Sequence, residues 1–152
     1  AMRGSSLVVS ALGSGGLGSA RKPTTLYSRS TRLFRSAMRE CGIKRLIVLS
    51  SGGVEEEKDA PWIYTAIIRR LLMNTYLDML RMETILEESP DLEWTSVRLP
   101  QLVKTNSKKY LVGEYPLPKN SYKINYTDVG DFVANEVANA NFVRKFASIG
   151  YP

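Results

Sequence analysis

Histidine is absent from this chain, and cysteine occurs once, as Cys41. Without an imidazole, no histidine can activate a serine or cysteine nucleophile. One thiol cannot close an internal disulfide or build a structural zinc site, so no metal is expected. A single cysteine suits a reducing compartment, and a cytoplasmic location is expected. Long apolar runs are also missing. A membrane span needs roughly 18 residues, whereas Leu7–Leu12 and Leu46–Leu49 are strand-sized. Ala1–Ser6 lacks an apolar stretch followed by a cleavage pattern, so no secretory leader is expected there. It reads as a disordered or shortened start. There is no Walker A sequence and no recognised RNA-binding signature.

The 152 residues are 43% hydrophobic and 24% charged, a globular composition for one domain of ordinary size. The net charge of +6 would suit the phosphates of a nucleotide or nucleic acid. However, Arg29, Arg32, Arg35, Arg39, Lys44 and Arg45 are spread along one helix and its exit. That pattern reads as a solvated helix face, and nucleic acid is not expected as a partner.

Strands and helices alternate. Leu7–Leu12 is a short apolar strand that runs into Gly13-Ser14-Gly15-Gly16-Leu17-Gly18. After Pro23, Thr24 or Thr25 can cap a helix whose apolar stripe is Tyr27, Thr31, Phe34, Met38 and Cys41, with Gly42 as its left-handed stop. Arg45–Ser50 is apolar on both faces, as a strand covered on both sides must be. The longest helical pattern spans Trp62–Glu88. Its buried side is marked by Ile67, Ile68, Leu71, Leu72, Met79, Met82, Ile85 and Leu86. A strand at Glu93–Arg98 follows. Shorter strands are expected at Lys109–Gly113, Ser121–Ile124 and Lys145–Ile149, with a helix begun by Thr127 or Asp128 before the last. This order predicts a Rossmann-like α/β domain, a parallel sheet with helices on both faces.

In such sheets ligands lie beyond the carboxyl ends of the strands. Gly13-x-Gly15-x-x-Gly18 has the spelling of a dinucleotide fingerprint. The fingerprint needs a helix to open inside it, yet Pro23 follows closely, and the better reading is a loop after a middle strand. Ser50 and Ser51 end the second strand; their hydroxyls either meet a nicotinamide or substrate carbonyl or satisfy the turn's own backbone. Pro100-Gln101-Leu102 is either a turn that holds a carboxamide or a plain strand exit. The only Tyr-x-x-x-Lys match, Tyr115 to Lys119, contains Pro116 and Pro118 and cannot be a helical turn. The tyrosine–lysine proton donor of standard short-chain dehydrogenases is therefore rejected. Asn125-Tyr126-Thr127 spells a glycosylation sequon that has no role without a secretory leader.

Taken in order, several pieces resemble the atypical short-chain dehydrogenase/reductase family with NmrA-like and flavin reductase (biliverdin reductase B-like) members. They are Ser10–Gly13, Pro23-Thr24-Thr25, Ser28 and Arg32, Ala37-Met38, Ile47–Ser51, Arg81-Met82, Glu93–Leu102, and Asp128–Phe132. The resemblance implies an NADP- or NAD-binding fold and NAD(P)H-dependent reduction of a flavin-like or carbonyl acceptor. The alternative is a non-catalytic, NmrA-like nucleotide sensor or protein scaffold. It implies that Ala11, Leu12, Gly13, Ser14, Ser50, Leu99, Pro100, Gln101 and Leu102 line the cofactor, with Ser51 as the catalytic hydroxyl. Gln101 stands where a flavin reductase carries histidine. The family begins with strands and a glycine-rich phosphate loop that have no counterpart before Leu7. Residues 1–152 are thus expected to be one partial, N-terminally shortened domain. Its uncovered sheet edge invites a homodimer.

Overall fold

The computed structural model describes residues 2–13, 15, 22–55, 67, 69–116 and 120–152. In chain order the elements are β1 (Leu7–Ser10), α1 (Leu26–Cys41), β2 (Arg45–Ser51), a short 3-10 turn (Gly52–Val54), α2 (Arg69–Glu87), β3 (Glu93–Leu99), β4 (Gln101–Val103), β5 (Leu111–Glu114), β6 (Lys123–Asn125), α3 (Tyr126–Asn139) and β7 (Lys145–Gly150). The main sheet has the order β1-β2-β3-β7-β5, and β4 pairs with β6 in a second, two-stranded sheet. The pairs β1–β2, β2–β3 and β3–β7 are parallel, while β5 runs antiparallel to β7.

The double-sided apolar character of β2 has a direct cause. Successive side chains point to opposite faces. Leu46 and Val48 enter one core with Tyr27 and Met38 of α1, Met82 and Leu86 of α2, and Trp94. Ile47 enters the other core with Val97, Leu99, Ile149 and residues Val129 and Phe132 of α3. Helices α1 and α2 therefore cover one face and α3 the other, as in a Rossmann-like fold. Residues Met2 and Ser5 close a turn, and Met2 packs against the first core.

Local signals place α1 well. Gly42 is left-handed (φ 70°), as a helix stop requires. Of the two threonines expected as caps, Thr24 contributes: its hydroxyl accepts from the Leu26 N–H (3.1 Å). Thr25 makes no side-chain cap bond; the buried Asp78 carboxylate of α2 accepts from the N–H of Tyr27 (2.9 Å) and from the Ser28 hydroxyl (2.5 Å). A negative charge at a helix start compensates its dipole, so this contact both caps α1 and fixes it on α2. Helix α3 starts at Tyr126 rather than at Thr127 or Asp128, because Asn125 Oδ1 accepts from Thr127 N–H (3.3 Å). Asp128 instead accepts from the hydroxyls of Ser107 and Tyr151, which ties the loop before β5 to this helix.

Other expectations shift at their edges. The first strand ends at Ser10, two residues early, and the weaker strands settle at Leu111–Glu114 and Lys123–Asn125. Of the long helical pattern, Arg69–Glu87 is helix, while residues 62–66 and 68 lie outside the described residues. Ile67 is 53% exposed, so it is not part of the buried side. Arg45 is also corrected: it is buried, not on a solvated face.

Candidate functional site

Three parallel strands end together on one rim. Ser50 stands beside Arg98 and Ser51 beside Leu99, while the β1–β2 pairing stops at Ser10 opposite Val48. The chain beyond Ser10 therefore runs past a longer β2. On the α3 side of this rim an apolar cleft of about 290 Å³ opens between the sheet and α3. Its floor is Val9, Ala11, Leu49, Leu99 and Leu102, and its wall is Tyr126, Val129, Gly130 and Val133. That volume lies near the lower limit for small-ligand sites, and the lining is apolar as such sites are.

The cleft brings together Ala11, Leu99 and Leu102 of the residues expected from sequence. Ser51 lies two residues beyond Leu49, on the same face of β2 by strand alternation. Its hydroxyl accepts from Gly53 N–H (3.3 Å), so it serves the turn. An accepted bond leaves the hydroxyl's own proton free to donate. Ser50 faces the other way: it is 4% exposed, and its hydroxyl has no partner among the described residues. Leu12 and Gly13 are exposed beside the cleft, and Ser14 lies outside the described residues. The segment read as a turn at Pro100-Gln101-Leu102 opens β4, with Gln101 and Leu102 paired to Lys123 and Ile124. Gln101 N–H donates to Tyr122 O (3.0 Å), and its side chain is exposed.

Sequence reasoning missed the α3 wall. A signal was present, since Tyr126, Gly130, Val133 and Val137 recur at helical spacing outside the stripe of Val129 and Phe132. It also missed a charged cluster on the opposite face of the same rim. Arg98, 4% exposed at its side chain, donates from Nε (3.2 Å) and Nη2 (2.9 Å) to the two oxygens of the buried Glu83 carboxylate. Its Nη1 meets Glu55 Oε1 at 2.7 Å. Its guanidinium carbon lies 4.5 Å from the centre of the Tyr115 ring and 4.2 Å from that of Phe146. Burial acts to lower the Arg98 pKa, but the hydrogen bonds and charges of Glu83 and Glu55 outweigh it and the net shift is upward.

The apolar cleft suits a neutral ring, and the Ser51 proton and the post-strand backbone suit a carboxamide. Of the Gly13–Gly18 segment, Gly13 and Gly15 are described, and Ser14 and residues 16–18 lie outside the described residues. No cluster of three or more acidic, cysteine or histidine residues able to hold a metal occurs among the described residues. No helix among them is long and apolar enough to cross a membrane.

Residues 1–140 match a family model described as NAD(P)H-binding. No curated protein matches the chain by sequence. Solved structures match over nearly its whole length. A short-chain dehydrogenase/reductase from Veillonella parvula superposes with a TM-score of 0.76 at 17% identity, covering 100% of this chain and 65% of that one. A candidate NADH-flavin reductase from Streptococcus pneumoniae gives 0.74 at 18%, covering 98% and 73%. A short-chain dehydrogenase/reductase from V. parvula in complex with NADP gives 0.70 at 17%, covering 93% and 70%. This chain thus spans between 65% and 73% of the length of these three structures. At such identities the likeness shows a shared Rossmann-like fold.

Proposed function

The chain belongs to the NAD(P)H-binding family, and from that premise we propose that it is a reductase-family domain. In its intact form it takes NADPH or NADH and reduces a flavin-like or carbonyl acceptor. The carrying observation is the apolar cleft in which Ala11, Leu99 and Leu102 meet beneath α3, beside Ser51. The cofactor, when bound, supplies the hydride. The chain's residues do the rest: Val9, Leu49, Leu99 and Val129 exclude water from a ring, which strengthens the electrostatic interactions around it. The backbone of Ala11, Leu12 and Gly13 and the Pro100 carbonyl hold the ring's polar substituents. Ser51 donates its free proton to a carboxamide or acceptor carbonyl.

The test is a titration of NADPH by its fluorescence, followed by NADPH oxidation with a panel of flavins, quinones and carbonyls. In Ser51→Ala, kcat/KM falls about 10-fold, as expected for one lost hydrogen bond. Unchanged kinetics would remove Ser51 from the chemistry, and a wild-type chain blind to both dinucleotides would overturn the reading. The missing helical tyrosine–lysine pair favours a second reading, a non-catalytic NmrA-like sensor or scaffold. Dinucleotide binding without turnover on every acceptor selects it. We further propose a homodimer through β1, whose only partner strand among the described residues is β2 and whose Val9 is 42% exposed. A single monomeric species in sedimentation would exclude it.

A further inference from the structure

The Arg98 cluster holds one carboxylate more than its charge requires. Glu83 engages Nε and Nη2 together, both side chains are buried, and that pair is already neutral. A bidentate arginine–carboxylate pair is the strongest arrangement of its kind and needs no third member. Yet Nη1 points to a second carboxylate, Glu55, whose side chain is 53% exposed. Glu55 comes directly after the Gly52–Val54 turn, at the carboxyl end of β2. Its partner nitrogen therefore sits at the ligand-bearing rim of the sheet, behind a side chain that can swing into water.

Two further groups lack a partner. Ser50 and Ser148 are the lateral neighbours of Arg98 on β2 and β7, so all three side chains share one face of the sheet. Ser50 is 4% and Ser148 0% exposed, and neither hydroxyl has a hydrogen-bond partner among the described residues. Buried hydroxyls are ordinarily satisfied. The row from β2 to β7 is thus serine, arginine, serine. It lines up three donors beside the exposed carboxylate of Glu55.

We propose that Glu55 holds the place of a ligand carboxylate: an acceptor that lies across the strand ends reaches with an acidic group to the α2 face of the rim, where that group displaces Glu55 from Arg98 Nη1. The inference rests on the reading that the acceptor is held at this rim, and it specifies that the acceptor is an anion. The exchange swaps one carboxylate for another, so the cluster keeps its charge and Arg98 is never left unpaired. Tyr115 closes over the guanidinium and donates from its hydroxyl to Gly52 O (3.4 Å), fixing the turn from which Glu55 departs.

The test uses benzoate and benzamide, which have nearly the same shape and differ in charge. Binding to the whole chain is followed by NMR shifts in wild type, Glu55→Gln and Glu55→Lys. Removing the competing carboxylate raises benzoate affinity about 5-fold in Glu55→Gln, the upper range for an exposed ion pair. Affinity rises further in Glu55→Lys, and benzamide affinity is the same in all three. Equal benzoate affinity in the three proteins overturns the proposal, as does a parallel gain for benzamide. NADPH titration of the same samples separates the two readings. Loss of dinucleotide binding in wild type would defeat the reductase reading, while the benzoate series would still decide the anion site.

Discussion

Two buried arginines reach from the sheet to a glutamate on a covering helix, and they titrate in opposite directions. Arg45 opens β2 and meets Glu136 of α3 at 2.5 Å. Burial, the largest influence, outweighs Glu136's attraction, and the Arg45 pKa is lowered. Arg98, near the end of β3, faces α2 and is shifted upward because two carboxylates answer its burial. The first pair is closed. Glu136 also accepts from Thr95 Oγ1 (3.2 Å) and from the N–H groups of Asn141 (3.0 Å) and Phe142 (2.9 Å), which fastens the end of α3 to β3 and the chain entering β7. The second pair is open, with an exposed partner and two unsatisfied serines beside it. Similar chemistry thus does two things: away from the rim it anchors a helix, and at the rim it leaves a site.

Breaking the closed pair is the largest expected effect. Glu136→Gln leaves the buried Arg45 only the weaker attraction of Glu93, and Arg45 Nε already has no partner among the described residues. A loss of about 3 kcal/mol in the urea-denaturation free energy is expected, the lower range for uncovering a buried charge. The equivalent change in the open pair sharpens the contrast. Glu83→Gln leaves Arg98 the Glu55 carboxylate and two aromatic faces, so about 1.5 kcal/mol is expected, one charged hydrogen bond's worth. Equal losses in the two variants would mean that Glu55 does not support Arg98, and the distinction between closed and open would fail.

These contacts explain why the sequence was legible in parts. The alternation inside β2, the stripe on α1 and the Gly42 stop are local, each decided within a few residues, and each was readable. Strand β4 was not: Pro100-Gln101-Leu102 looks like a turn, Gln101 and Leu102 are exposed, and pairing comes from Lys123 and Ile124 far along the chain. The carboxylates were equally silent. Asp78 caps a helix that starts about fifty residues earlier, and Glu136 reaches back 91 residues to Arg45. At the candidate site, strand ends announced Ala11, Leu99 and Leu102. The α3 wall shows in the sequence as a helical spacing, but that it faces the cleft depends on how a later helix lies over the sheet.

Another buried carboxylate tests whether a cation is needed to hold one in place. Asp128 is 1% exposed and is met by neutral donors: the hydroxyls of Ser107 and Tyr151 and the N–H of Lys108. Ser107's hydrogen bond, then Tyr151's, holds its carboxyl below the ordinary value of 3.8. A carboxyl whose pKa is lower folded than unfolded contributes its full stabilisation above the unfolded value. That contribution drains away as acidity rises through the folded value. Ser107→Ala should therefore lower the urea midpoint at neutral pH by less than either glutamate variant. The gap from wild type should narrow as the pH falls below about 3.8 and on through the lower folded-state value, by which point Asp128 has taken up its proton in both proteins. A gap that stays constant into acid would show that Ser107 acts by packing. Asp128 would then owe its ionisation to other groups, and cation-free anchoring would lose its best example in this fold.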